Sequence, residues 1–342
     1  MKVSTKQIRN VVADIDWIIK VYKKENPASE RDWRTYEQQF AFRLKHAMHF
    51  FEPLIKEAIQ TLKIADNKTL GRKCILSLKQ KTILILIKHL IGKSNREMSS
   101  MLVLFSLLND VEVSYKTVER LYSDEAVQLV LHNLHLLILK KKGVEESDSC
   151  GDGTGYTLTI KKHYATETQK HKDKVKDAKK LKTASKTKKK KQFVYSFALM
   201  DFKTRMYLAF GTSFKSEREA YNKAMEMASK TGIKLKSIRL DKYYSAQQYA
   251  KELGTQFKNI ILYLIPKKNA TIKGPWNWKK TLEQFAKNVM PYLKEYFQRN
   301  QSESAFSEDK RRFGWKIQQR KNNTIHTTNF LTTIWHNLFW LG

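Results

Sequence analysis

The sequence predicts an all-α N-terminal region followed by an α/β domain. Three observations carry this. Up to Gly143, apolar residues recur at three- and four-residue spacing, as in helices with one buried face. From residue 145, β-branched and aromatic runs alternate with short amphipathic stretches, in the order strand, strand, strand, helix, strand, helix, strand, helix. Between the two parts lies Lys140-Lys-Lys-Gly143, a natural boundary.

Residues 6–24 read as one amphipathic helix on Ile8, Val11, Val12, Ile15, Ile18, Ile19 and Tyr22, ended by Asn26-Pro27. Ser29 caps a second helix carrying Trp33, Tyr36, Phe40, Leu44 and Met48, which Pro53 kinks or ends. Aromatic stripes at this spacing are core and carry no assigned function, while the basic residues beside them in residues 1–75, such as Arg31, Arg34, Arg43 and Lys45, could touch phosphates on charge alone. Thr82 to Leu90 is an apolar helix broken by Gly92-Lys93-Ser94. Ser94 and Glu97 form a capping box for the next helix, and Asn109-Asp110 turns the chain. Ser114 then caps a short polar helix ahead of an apolar one, Val127 to Leu139. Residues 76–143 thus look like a helix-turn-helix, with Tyr115, Lys116, Thr117 and Arg120 offered to a DNA groove. A plain helical bundle with a serine cap is the competing reading.

The 342 residues hold 65 Lys+Arg against 33 Asp+Glu, a formal charge of +32 and a pI near 9.9. Such an excess calls for a polyanionic partner, nucleic acid first and an anionic membrane surface second. No apolar run approaches the ~20 residues of a spanning helix, and Met1 to Asn10 does not read as a signal peptide. Cys74 and Cys150, far apart, exclude a disulfide framework and suggest no zinc site. The expectation is a cytoplasmic, nucleoid-associated protein with no membrane partner.

In the second part, Asp152-Gly-Thr-Gly-Tyr-Thr-Leu-Thr-Ile160 reads as a strand with small residues around an acid. A turn aspartate is the bland alternative, and Asp148 is a competing acid in a more flexible, polar context. A lysine-dense loop spans 161–191 and is suited to tracking a DNA backbone. Phe193 to Met200 and Arg205 to Gly211 form a hairpin with Asp201 as its turn residue. Ser216 caps a helix that Gly232 stops. Lys236 to Leu240 is a strand ending at Asp241, and Ile260 to Ile265 is another, closed by Pro266. Phe330 to Leu341 is an aromatic helix suited to packing on this domain or on a second subunit.

One long helix brackets Tyr296 to Lys310. At about 100° per residue from Tyr296, Arg299 falls near roughly 300°, Glu303 near roughly 340° and Lys310 near roughly 320°. A phenol, a guanidinium, a carboxylate and an ammonium therefore share one narrow face, fit to hold a cation beside phosphate. A solvated Glu/Lys/Arg face is the competing reading. Tyr296, Arg299, Glu303 and Lys310 resemble the Y-R-E-K signature of a large group of insertion-sequence transposases. Asp152-Gly-Thr-Gly155 and Leu240-Asp241-Lys-Tyr-Tyr-Ser245 resemble the group's two aspartate segments. The resemblance runs from about residue 145 to 342 and leaves the N-terminal region aside.

The resemblance implies an RNase H-like, retroviral-integrase-like catalytic domain over 145–342 with Asp152, Asp241 and Glu303 as its DDE metal-binding triad. It further implies two Mg²⁺ ions, Mn²⁺ substituting, and cleavage at transposon ends followed by strand transfer. Its partners would be double-stranded DNA, as terminal inverted repeats and target, and a second copy of the chain on paired ends. Arg299, Lys310 and Tyr296 would hold DNA. The stretch between Asp241 and Glu303 is short for the best-known members, which insert a β-rich subdomain there. That insertion is absent or shrinks to Lys267–Lys280, where Lys267, Lys268, Trp276 and Trp278 are candidate DNA contacts. Tryptophans that merely pack the last helix are the alternative. Two rival functions stay open: a DNA-binding regulator with a relict triad, and an RNase H-like nuclease without strand transfer.

Overall fold

The computed structural model describes residues 3–27, 30, 32–62, 76–92, 98, 102–103, 113–158, 193–319 and 321–342. The Ser29 cap, the Ser94/Glu97 capping box, the Asn109-Asp110 turn and the 161–191 loop lie outside the described residues.

Ser4 starts α1 (Thr5–Ala13) with a capping box, its hydroxyl accepting the Gln7 N–H while Gln7 accepts the Ser4 N–H. Residues 6–24 form two helices rather than one. Asp14 closes α1 with its N–H on Asn10 and opens α2 (Ile15–Glu25), so that Ile8, Val12 and Ile15 are all buried. Asp32 caps α3 (Trp33–Gln60), and the helix continues past Pro53 rather than ending there. An interior proline costs a helix about 3 kcal/mol. Phe51, Leu54 and Ile55 flank it, all buried, and each contributes about 1.5–3 kcal/mol, so packing wins. Helix α4 (Leu78–Ile91) carries a second capping box at Ser77/Gln80 and ends at Gly92, whose φ of 70° is left-handed. Helices α5 (Tyr115–Leu121) and α6 (Glu125–Lys141) are capped by Ser114 and Asp124.

The sheet is built on β1 (Glu146–Leu158), which begins earlier than the sequence suggested. It pairs antiparallel with β2 (Phe193–Asp201) and parallel with β4 (Lys234–Arg239). Outside them lie β3 (Tyr207–Ser213), antiparallel, and β5 (Ile261–Tyr263), parallel. A two-residue β6 (Lys316–Ile317) joins the far end of β1. The order β3-β2-β1-β4-β5 makes the first and fourth strands neighbours. At the β2–β3 turn the Asp201 carboxylate accepts the Thr204 N–H at 2.8 Å, the turn role expected of it. Helices α7 (Glu217–Lys230), α8 (Gln247–Gln256), α9 (Trp276–Lys287), α10 (Val289–Tyr296), α11 (Asn300–Phe313) and α12 (Asn322–Trp340) complete the chain.

Helix α12 is buried along almost its whole length. Asn337 accepts the Tyr207 N–H at 2.7 Å and donates to its carbonyl at 2.9 Å, which fixes the helix to β3. Trp335 stacks on Phe51 of α3 and donates its indole N–H to Leu86 of α4. One helix therefore packs on the sheet and on the N-terminal helices. Among the described residues no helix is long and apolar enough to cross a membrane.

Candidate active site

Side chains alternate along a strand. Asp148, Cys150 and Asp152 therefore share the face of β1 that meets α11, where Cys150 packs with Ala305 and Phe306. Gly153 faces the other way. A Cβ there would stand 2.3 Å from the Glu217 carboxyl carbon, so any other residue would have to push that side chain aside. Asp152 is half-buried and accepts the N–H of Gly153 at 2.8 Å. Asp241 is the second residue beyond β4, on the strand next to β1, and its carboxylate faces the N–H of Tyr243 at the start of a 3₁₀ turn. Glu303 is exposed in the first turn of α11.

These three acids meet around one cation. The Arg299 guanidinium lies 3.0 Å from Glu303, 3.7 Å from Asp241 and 3.9 Å from Asp152. Among the described residues no three His, Cys, Asp or Glu side chains stand close enough together to share a metal ion, because the guanidinium occupies the space between the acids. All three donors are carboxylates, the hard-oxygen set that suits Mg²⁺ or Mn²⁺. Burial pushes Asp152 up to about 6, against the pull of the Gly153 N–H and Arg299 and with the help of the Glu303 and Asp241 charges. Arg299 keeps its Nε buried without a hydrogen-bond partner.

The helix expected across Tyr296 to Lys310 is broken. Helix α10 ends at Tyr296, a 3₁₀ turn takes Phe297–Arg299, and α11 begins at Asn300. The break falls where Phe297 stacks on Tyr22 of α2 and the Ser302 hydroxyl donates to the Arg299 carbonyl. Arg299 still reaches Glu303 one turn on. Tyr296 is buried, with Arg299 5.7 Å from its ring, and burial pushes its phenol up to about 12. Lys310 donates to Thr154 at 2.6 Å and rests 4.4 Å from the centre of the Trp315 ring.

The other expected residues scatter. Lys267 donates to the Tyr243 carbonyl, just past Asp241, and Lys268 is exposed. Trp276 is exposed, whereas Trp278 is buried with its indole N–H on Thr271, so Trp278 takes the packing alternative. On α5, Lys116 and Arg120 are exposed while Tyr115 and Thr117 are half-buried. Much of the chain before α5 lies outside the described residues. Asp148 is not in a flexible segment. It lies within β1 and is held by Ser237 and Lys203, both at 2.6 Å, two turns of the pleat away from Asp152. Sequence reading missed Trp315, which is 64% exposed beside Lys310. Its only sequence signal was an aromatic following a basic run.

A strongly basic α/β protein with acids from three elements gathered around one arginine is the class that fold and site define. No family model matches the chain, and no solved structure matches it. A curated protein of Archaeoglobus fulgidus, named a probable transposase for insertion sequence element ISA1214, is 36% identical over 340 residues, 99% of this chain and 97% of the relative. The chain belongs to this family of insertion-sequence transposases.

Proposed function

We propose that the chain is a DDE transposase with an RNase H-like catalytic domain, which cuts DNA at transposon ends and joins the freed strand to target DNA. The observation that carries this reading is the meeting of Asp152, Asp241 and Glu303 around Arg299, across the neighbouring strands β1 and β4 and helix α11. Asp152, Asp241 and Glu303 would hold two divalent cations, Mg²⁺ or Mn²⁺, which supply Lewis-acid stabilisation of the attacking and leaving oxygens.

The chain's own groups do the rest. Three carboxylates cannot share a small site without a compensating charge, and Arg299 provides it while the site is empty of substrate. A backbone phosphate offers Arg299 a better partner, since a guanidinium binds phosphate bidentately and its Nε is unsatisfied where it stands. Moving to that phosphate, Arg299 would clear the space between the acids. Lys310 of α11, bonded to Thr154 of β1, would hold a neighbouring phosphate, and Tyr296 would help set the guanidinium's position. Lys267, whose ammonium reaches the Tyr243 carbonyl just past Asp241, and the exposed Lys268 and Trp276 would add contacts to the DNA. The exposed Lys116 and Arg120 of α5 would read the terminal repeat. The working form is a homodimer on paired ends, associated with the nucleoid.

Cleavage of DNA carrying the gene's own flanking sequence, with Mg²⁺ or Mn²⁺, tests this in the wild type and Glu303→Gln. Nicks at both ends of an inverted repeat, absent in Glu303→Gln, are expected. End-specific binding without cutting would make the chain a regulator, and cutting indifferent to the ends would make it a nuclease.

A further inference from the structure

A second cationic site lies on the flank of the same catalytic helix. A cleft of about 370 Å³ opens between α3 and α11. Three arginines from separate parts of the chain converge on it: Arg43 of α3, Arg205 of the β2–β3 turn and Arg311 of α11. Aromatic faces support them. Trp340 lies 3.6 Å from the Arg43 guanidinium and 4.7 Å from that of Arg205, and Arg311 sits near Trp33 and Tyr36.

The acids in the cleft are already engaged. Glu308 is buried and shared by Arg43 at 3.1 Å and Arg312 at 3.4 Å. Asp32 spends its oxygens capping α3, on the N–H groups of Arg34 and Thr35 and on the Thr35 hydroxyl. Arg311, by contrast, makes no ion pair among the described residues. Its guanidinium has one long hydrogen bond, 3.4 Å to the Tyr36 phenol, out of five N–H donors. Ser304 and Ser307, exposed on the same flank of α11, add hydroxyls. Cationic donors thus outnumber the acceptors, in a polar cleft open to solvent.

Position supplies the rest. Ser307 and Arg311 follow Glu303 by one and two turns of α11. They lie about 6 and 12 Å farther along the axis and roughly 40° and 80° around it. A strand leaving the catalytic acids across α11 would enter this cleft. We infer that the cleft is a subsite for a backbone phosphodiester of DNA beyond the cut, with Arg311 as its principal ligand. This inference rests on the DNA-cutting reading of the acids.

The test uses the full chain and a fluorescent duplex, with anisotropy measured over a series of salt concentrations. Arg311→Ala should weaken binding about tenfold at low salt and lower the slope of log K against log salt by about 0.9, one phosphate's worth. Arg311→Lys should keep the slope, and Lys230→Ala, on α7 across the sheet, should change neither. A wild-type slope in Arg311→Ala overturns the subsite and leaves the reading of the acids standing. Failure of the wild type to bind any duplex overturns both. Inorganic phosphate that raises the melting temperature through Arg311, with duplex binding unchanged in Arg311→Ala, makes the cleft a free-anion site and also overturns the proposal.

Discussion

Replacing Asp152 by asparagine should abolish cutting and at the same time stabilise the fold. Asp152 carries a charge where the chain alone gives it too little compensation, since burial pushes its carboxyl from 3.8 to about 6. Below the unfolded value the side chain is protonated in both states, and the favourable neutral form is fully present. As pH rises through about 6 the folded chain must ionise the group, and that contribution is lost. At pH 7.5 the whole penalty acts. A shift of about 2 units at ~1.4 kcal/mol each sets a ceiling of about 3 kcal/mol. Asparagine keeps an oxygen for the Gly153 N–H but carries no charge, so a gain of about 1–3 kcal/mol is expected, seen as a rise of a few degrees in Tm. The assay is thermal unfolding of wild type and Asp152→Asn in chelator at pH 7.5 and again at pH 4.5. The gap between the two proteins should be large at the higher pH and shrink at the lower. Mg²⁺ should stabilise the wild type more than the variant. A variant that melts below the wild type at pH 7.5, or a gap that widens in acid, would refute the electrostatic account of the site.

Three further outcomes are expected. Arg299→Ala, lacking the cation between the acids, should bind Mn²⁺ at least tenfold more tightly without DNA, by calorimetry, and yet cut more slowly; unchanged Mn²⁺ affinity would mean that Arg299 does not compete for the acids. Trp278→Ala should destabilise by about 3–5 kcal/mol in urea unfolding, as large buried aromatics do, whereas Trp276→Ala, exposed, should stay within about 0.5 kcal/mol. Asn337→Ala should cost about 2–4 kcal/mol, because it strands both the N–H and the carbonyl of Tyr207 in the interior.

The parts of the fold that sequence revealed are those set by local chemistry. Ser114 and Ser216 cap their helices because a serine oxygen before an amphipathic run has few other uses. The succession of strands and helices followed from alternating residue patterns. Asp152, Asp241 and Glu303 were singled out by resemblance, through Asp152-Gly-Thr-Gly155, the segment after Leu240 and the spacing from Tyr296 to Lys310. What sequence could not show is set by partners far along the chain. Pro53 looked like a kink or a stop, and only the apolar surface packed on both sides of it explains why α3 continues. The break at Phe297 depends on Tyr22, hundreds of residues earlier. Trp276 and Trp278 are equivalent on paper, yet a single hydrogen bond to Thr271 marks the buried one. The meeting of the acids on Arg299 was likewise invisible, since a helical wheel puts Arg299 beside Glu303 but says nothing of β1 and β4.

The placement of Glu303 itself depends on a buried contact behind it. Asp309 lies six residues on, on the inner side of α11. One of its oxygens takes the Tyr207 phenol at 2.8 Å and the other meets His336 of α12 at 2.9 Å. His336 reaches on to the carbonyl of Arg205, whose side chain lines the cationic cleft. Helix α11 is therefore tied to β3 and α12 on its inner side while it presents Glu303, Ser307 and Arg311 outward. Helix α12 is in turn held by α3 and α4 through Trp335. A shift of the N-terminal helices on meeting DNA would thus pass through α12 and Asp309 to the one acid that does not lie on the sheet. Asp152 within β1 and Asp241 just past β4 are held from the sheet side, so this path acts on Glu303, while Tyr22 of α2 reaches the turn that carries Arg299 through Phe297.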